Sequence, residues 1–384
     1  MRFSQLNLDR LCDRVRATKH APRDPFRILE RRHGLAEIVE RGGGVLVERH
    51  RVCVPAAVYF LANLLVAAAP VVMLASRSHK GILTHEGKPP TLAVSEEADG
   101  KDALTKLLED PKIDAVDVVL PIAAQPAVVV AALQAGKYVL SEKPLGPSVA
   151  AATQAIDAAK EANALGRWGV AENYRFEPAV ERLASADIGT VRSVRLSVGA
   201  PITGDNPYAK TAWRQSPEHV GAYFGDAGPH YVAALRAAVG SAPRGVRALA
   251  TQGSQVVPAP DAVAAVMTFP GDVLGTLHCS FHPKAPKRFE LVVDGDKGTA
   301  SMTRTEAVGT GIFGYSVDVN NGEHSFCPFS GVPRELSAFI TAVRKGGPVP
   351  RALSATEALV DLKVVEAICD AAAAKSAAGT RVAA

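Results

Sequence analysis

Between residues 104 and 171, short apolar runs alternate with segments that carry helix signals. Leu104–Leu108 lies in a helical stretch, GKDALTKLLEDPKID, that must stop before Pro111, because proline has no N–H to continue a helix. Ala115–Leu120 (AVDVVL) reads as a buried strand. Pro126–Gln134 reads as a helix, with Gly136 just past its end, where a left-handed residue closes a helix. Tyr138–Leu140 is a second short strand, halted by Pro144. Val149–Asn163 is an Ala-rich helix, and Trp168–Ala171 is a third strand. Strands that alternate with helices predict a parallel sheet with helices on both faces.

The flanking regions read differently. Upstream, Leu35–Val39 is a strand candidate followed by Gly42-Gly43-Gly44. Val52–Ala75 carries no charged residue and is long enough to cross a bilayer. Pro55 and Pro70 cut it, so it reads as a buried helix near 56–68 and a strand over 71–75. From about residue 190 the alternation changes to period two. Val191–Val198, Ala262–Phe269, Val273–His282, Arg288–Asp294 and Gly311–Val319 are strand-like, separated by turns such as Pro270-Gly271-Asp272. Runs of strands without helices between them predict an open, mostly antiparallel sheet. Two helices, near 333–345 and 355–375, close the chain. The expected class is α/β: a doubly wound parallel sheet, then an α+β domain. The expected divisions are an atypical extension over 1–34, a nucleotide-binding half over 35–146 and a substrate-binding half over 147–384. The final helices are free to pack back on the first half.

The chain has 384 residues, which suits two domains. Its 43 Lys and Arg against 39 Asp and Glu leave a net charge of +4, too small an excess to suggest nucleic acid. Aromatic residues make up only 5%, which argues against a base-stacking platform. The cysteines at 12, 53, 279, 327 and 369 are widely spaced and fit a reducing compartment. No metal is expected, because the ten histidines show no ligand spacing. Residues 1–34 hold basic residues but also Asp9, Asp13, Asp24 and Glu30, whereas organellar transit peptides are poor in acids. A cytoplasmic protein without stable membrane insertion is expected.

Five constellations could carry chemistry. Gly42 and Gly44 could let a backbone approach a pyrophosphate at a helix N-terminus. The third glycine of such a fingerprint is replaced by Val47, and Glu40 and Arg41 put charge where a buried strand should end. Ser76-Arg77-Ser78 follows the second strand; an Arg there accommodates a ribose 2′-phosphate, which favours NADP(H) over NAD(H). Ser141-Glu142-Lys143-Pro144 ends a buried strand, where open α/β sheets line their ligand crevice. A lysine there can bond a substrate oxygen, and burial can lower its pKa. In Asp226-Ala227-Gly228-Pro229-His230, Pro229 suits the first position of a helix. Asp226 would then precede the helix and fix the tautomer of His230 for general base catalysis. Trp213-Arg214 and Glu172-Asn173-Tyr174-Arg175 could line a pocket for a small polar substrate.

Taken together, EKP at a strand end, AENYRFEPAVERL some thirty residues on, WR, and GDAGPHYVAALRAAVG resemble the glucose–fructose oxidoreductase/inositol dehydrogenase/MocA family. The resemblance covers about 105–300 and is nearest to the eukaryotic-type NADP-dependent branch. It implies an N-terminal Rossmann domain, a C-terminal open-sheet domain, and hydride transfer between NADP(H) and a sugar, polyol, diol or aldehyde. Lys143 would bind the reacting oxygen, His230 would be the general acid/base and Asp226 its neighbouring acid. Gly42 and Gly44 would form the pyrophosphate loop, with Ser76 and Arg77 at the adenosine ribose. Leu120, Pro121, Glu142 and Asn173 would stand on the nucleotide side. Tyr174, Trp213 and Arg214 would face the substrate. A homodimer or homotetramer would cover the open sheet. The degraded glycine fingerprint keeps a second reading open: a catalytically impaired relative that binds a nucleotide or ligand.

Overall fold

The computed structural model describes residues 72–75, 93–94, 101–111, 113–207, 209–320 and 322–374. The expected strand at 35–39, Gly42, Gly44, the helix near 56–68, Ser76 and Arg77 lie outside the described residues.

Among the described residues, the first half is built on five parallel strands. Its elements in chain order are β1 (Val72–Ala75), β2 (Ala93–Val94), α1 (Lys101–Glu109), β3 (Ala115–Val118), α2 (Gln125–Gln134), β4 (Tyr138–Glu142), α3 (Val149–Glu161) and β5 (Trp168–Ala171). The spatial order is β2-β1-β3-β4-β5. Val72 pairs with Ala115, Val116 with Val139 and Leu140 with Gly169. Every residue of β3 and β5 is buried, the pattern of strands covered on both faces. Trp168, fully buried, donates from Nε1 to the Ser141 hydroxyl at 3.0 Å, so its one polar atom is satisfied inside the core. Lys137 is also buried; its ammonium donates to the carbonyls of Asp110 and Ile113 at 2.7 and 2.9 Å and pins the turn after α1. Ser148 starts α3 by accepting from the Ala151 N–H at 3.2 Å.

The parallel sheet runs on through α3 to β5, beyond the division expected at 146. The chain leaves this sheet only after Ala171.

The second half contains α4 (Pro178–Ala184), β6 (Val191–Gly199), one helical turn (Ala212–Gln215), α5 (Ala222–Val239) and seven further strands. These are β7 (Gly245–Thr251), β8 (Ala262–Thr268), β9 (Leu274–Ser280), β10 (Arg288–Gly295), β11 (Thr299–Glu306), β12 (Phe313–Val319) and β13 (Glu323–Pro328). They form one sheet in the order β13-β12-β11-β10-β6-β9-β8-β7, antiparallel except where β6 meets β9. α6 (Gly331–Lys345) and α7 (Ala355–Ala373) follow. Along β8 and β9 alternate residues are buried. The inner set packs with Phe224, Leu235, Val365 and Ile368 from α5 and α7. The outer set leaves Leu249, Val266 and Leu274 exposed on neighbouring strands.

Two expectations about this half are corrected. β7, β11 and β13 were not anticipated: in β11, TASMTRTE, only Ala300 and Met302 are fully buried, so the period-two signal is faint. Pro229 does not start a helix. α5 begins at Ala222, after Gly221 in the left-handed region at φ 77°, and Pro229 sits inside it. The missing proline N–H would have served the carbonyl of Gly225, and Asp226 is therefore already helical.

Candidate active site

The carboxyl end of β4 delivers Glu142 and Lys143, and the Lys143–Pro144 peptide is cis. The Lys143 ammonium donates to Asp226 Oδ1 at 2.7 Å and to the Asp226 backbone carbonyl at 2.8 Å. The other carboxylate oxygen of Asp226 accepts from Arg214 Nε at 2.8 Å. The Arg214 guanidinium lies over the Trp213 ring, 3.9 Å from its centroid. Arg214 was expected to face substrate; here it braces Asp226.

His230 follows Asp226 by four residues on α5, which puts both on one helix face. Asp226 was expected to hold the imidazole. Instead, His230 Nδ1 lies 2.8 Å from Glu172 Oε1, and Asp226 is taken up by the two cations. Glu172 directly follows β5 and also accepts the Tyr174 N–H at 3.2 Å. The Tyr174 ring lies against the imidazole, with centroids 5.1 Å apart, and against Phe289 at 5.5 Å. Tyr174 thus packs His230. The side chain of Asn173 bonds Glu177.

The charges follow from these pairings. Burial pushes the Lys143 ammonium down, but the carboxylates of Asp226 and Glu142 outweigh it and hold the pKa above the ordinary lysine value. The expected lowering is therefore reversed, and Lys143 is a cation at neutral pH. Asp226 is buried, yet Lys143 and Arg214 hold its carboxyl well below the usual range. Burial likewise opposes Glu172, but His230, Arg175 and Lys143 keep it below the ordinary value. Burial raises Glu142 above its ordinary value, against the pull of Lys143 and His230.

Beside this cluster is a cavity of about 420 Å³, lined by Pro121, Ile122 and Ala124 from the loop after β3 and by Trp213, Glu218 and His219. Leu120 is half-buried at the root of that loop. The carboxamide of Gln125, which opens α2, is buried and has no hydrogen-bond partner among the described residues. A buried donor and acceptor left unpaired at the start of α2, directly after the loop that lines the cavity, fit the polar groups of a dinucleotide. Among the described residues no group of three or more His, Cys, Asp or Glu could hold a metal ion, and no helix is long and apolar enough to cross a membrane.

Sequence reasoning singled out Lys143, Asp226, His230, Trp213 and Arg214, and the structure brings them together. It placed Glu172 only among the residues that could line a pocket and missed its pairing with His230; His219 it missed altogether. An acid at the carboxyl end of a buried parallel strand, as at Glu142, was the available signal for Glu172. His219 had none: it is placed by donating from Nε2 to the Ala222 carbonyl at 2.9 Å.

A family model described as the oxidoreductase family, NAD-binding Rossmann fold, matches residues 71–169, downstream of the glycine run. The GFO/IDH/MocA C-terminal domain model matches residues 176–301. Dehydrogenase FPY6 of Fusarium mangiferae is 31% identical over 308 residues, covering 79% of this chain and 85% of its own. Trans-1,2-dihydrobenzene-1,2-diol dehydrogenase of Bos taurus is 28% identical over 203 residues, 51% of this chain and 57% of its own. The crystal structure of an oxidoreductase from Thermotoga maritima has the same fold, with a TM-score of 0.68 at 24% identity, over 86% of this chain and 95% of that one.

Proposed function

The chain belongs to the glucose–fructose oxidoreductase/inositol dehydrogenase/MocA family and is an NAD(P)-dependent oxidoreductase, and from that premise we propose that it moves hydride between NADP(H) and a hydroxyl- or carbonyl-bearing carbon of a sugar, polyol, diol or aldehyde. The observation that carries the reading is a pair of bonded groups at the carboxyl edge of the parallel sheet, Lys143 and Arg214 on Asp226 and His230 on Glu172, with Asp226 and His230 four residues apart on α5. A bound nicotinamide supplies or accepts the hydride. The residues manage the oxygen and its proton. Two of the three Lys143 N–H groups go to Asp226, which leaves one to donate to the substrate oxygen. That donor is preorganised and steadies negative charge on the oxygen as the reaction proceeds. In the oxidative direction the hydroxyl proton passes to His230 Nε2; in reduction the imidazolium returns it.

The preference for NADP(H) rests on Ser76 and Arg77, which follow β1 directly in the chain, since an Arg after such a strand accommodates a ribose 2′-phosphate. A homodimer or homotetramer would cover Leu249, Val266 and Leu274. The free thiols of Cys279, Cys327 and Cys369 suit a reducing compartment such as the cytoplasm. The test is a calorimetric titration with NADPH and with NADH, followed by NADPH oxidation with a panel of aldehydes and sugars. Tighter NADPH binding, with turnover lost in Lys143→Met and His230→Asn, supports the reading. A folded protein that binds neither nucleotide supports the second one, a relative impaired in catalysis, which the interrupted glycine fingerprint at Val47 favours.

A further inference from the structure

We infer that Glu172 is the positioning residue that presents His230 to the substrate with a bare Nε2, so that His230 accepts the proton while Lys143 remains a donor. This rests on the oxidoreductase reading above. His230 has two ring nitrogens, and Nδ1 is committed to Glu172 Oε1 at 2.8 Å. Glu172 is 1% exposed and ionised, so it can only accept; the proton of a neutral imidazole must therefore sit on Nδ1, and the lone pair on Nε2. The same short segment also fixes the ring plane. The Tyr174 N–H holds Glu172 Oε1 at 3.2 Å, and the Tyr174 ring lies 31° from the imidazole plane.

The two site carboxylates therefore divide the work. Asp226 bonds Lys143 and Arg214 through different oxygens and has no role left at the imidazole. Glu172 bonds the imidazole. When the substrate O–H bond breaks, its proton goes to Nε2 while the C–H electron pair leaves as hydride. The resulting imidazolium is then matched by a buried carboxylate already in contact with it. In the reverse direction Nε2 gives that proton to the oxygen as hydride arrives on carbon. Glu172 itself takes up no proton in either direction.

The experiment uses the full chain labelled with ¹⁵N-histidine. The His230 ring signals are assigned by their loss in His230→Asn. In the wild type the neutral ring should carry the Nδ1–H tautomer almost exclusively. In Glu172→Gln that population should fall to half or less, because the amide can turn its NH₂ toward Nδ1 and move the proton to Nε2. In Asp226→Asn the tautomer should stay as in the wild type. NADPH affinity, measured on the same samples, should change less than threefold in Glu172→Gln. A wild-type ring protonated on Nε2 overturns the inference even if the variant does not fold, and so does a Glu172→Gln ring with the wild-type tautomer. Failure of the wild type to bind NADPH would instead strike the oxidoreductase reading and leave the tautomer result standing by itself.

Discussion

Replacing Asp226 with Asn removes the single negative charge shared by two cations. The side chains of Lys143, Asp226 and Arg214 are only 16%, 10% and 14% exposed, so water can replace little of what is lost. Removing one partner from a buried pair costs about 3–5 kcal/mol, because the remaining charges stay desolvated and uncompensated. Partial exposure, and the hydrogen bonds that Asn can still accept, place the expected loss near the lower figure, about 3 kcal/mol. At about 2–4 °C per kcal/mol for a domain of 150–250 residues, the melting temperature should drop by roughly 6–12 °C at pH 7. The pH dependence supplies an internal check. The folded-state pKa of Asp226 is depressed, so its stabilisation is present above the unfolded carboxylate value of about 3.9 and is lost as pH falls toward the folded value. The gap between wild type and Asp226→Asn should therefore be largest near neutrality and narrow below about pH 4. The assay is thermal unfolding followed by circular dichroism from pH 3.5 to 7.5. A variant that melts within 2 °C of wild type at pH 7, or a gap that widens in acid, refutes the reasoning.

Two further outcomes are expected. In Gly225→Ala the added Cβ would lie 1.8 Å from the backbone carbonyl oxygen of Val220, so the first turn of α5 must shift, at a cost of about 1–3 kcal/mol. Because Asp226 comes next, NADPH-dependent turnover should fall further than NADPH affinity; wild-type melting and turnover would contradict this. Glu335 on α6 is buried, and burial together with Glu142, Glu172 and Asp117 pushes its carboxyl well above the ordinary range. A raised carboxyl gives its full contribution below the unfolded value of about 4.3 and loses it as pH rises. Glu335→Gln should therefore melt at or above wild type at pH 8, with the advantage shrinking toward pH 4.5; a variant that melts lower at pH 8 would contradict the assignment.

The parallel half was legible because its strands are mostly apolar and bounded by Pro and Gly. AVDV, the first four residues of AVDVVL, and WGVA are fully buried strands. Lys143 was legible for a related reason: a charge directly after a buried strand marks the crevice edge. The spacing of Asp226 and His230 was legible as well, but not the partner of each. His230 meets a carboxylate 58 residues away in preference to one four residues away, because two cations compete for Asp226. Only the tertiary arrangement decides that competition. The start of α5 was missed because Gly225, Gly228 and Pro229 all weaken a helix locally, whereas burial of Phe224 and Leu235 against the sheet holds it.

α7 is the last described element, and it ties together segments from both halves of the chain. Asp361 pairs with Arg175 and with Arg236; Glu357 accepts from Arg236 at 2.7 Å, and Glu366 accepts the Val149 N–H at 2.7 Å. Ser354, just before it, bridges to Gly169 on β5. On a growing chain, Arg175 and Arg236 are made long before these carboxylates, and synthesis proceeds at about 5–20 residues per second. Both sheets can assemble while the ribosome is still at work. The seam between them, where Lys143 meets Asp226 and Glu172 meets His230, has this brace only after residue 361 has emerged, so the order of synthesis makes α7 the clasp that is added to two sheets already made.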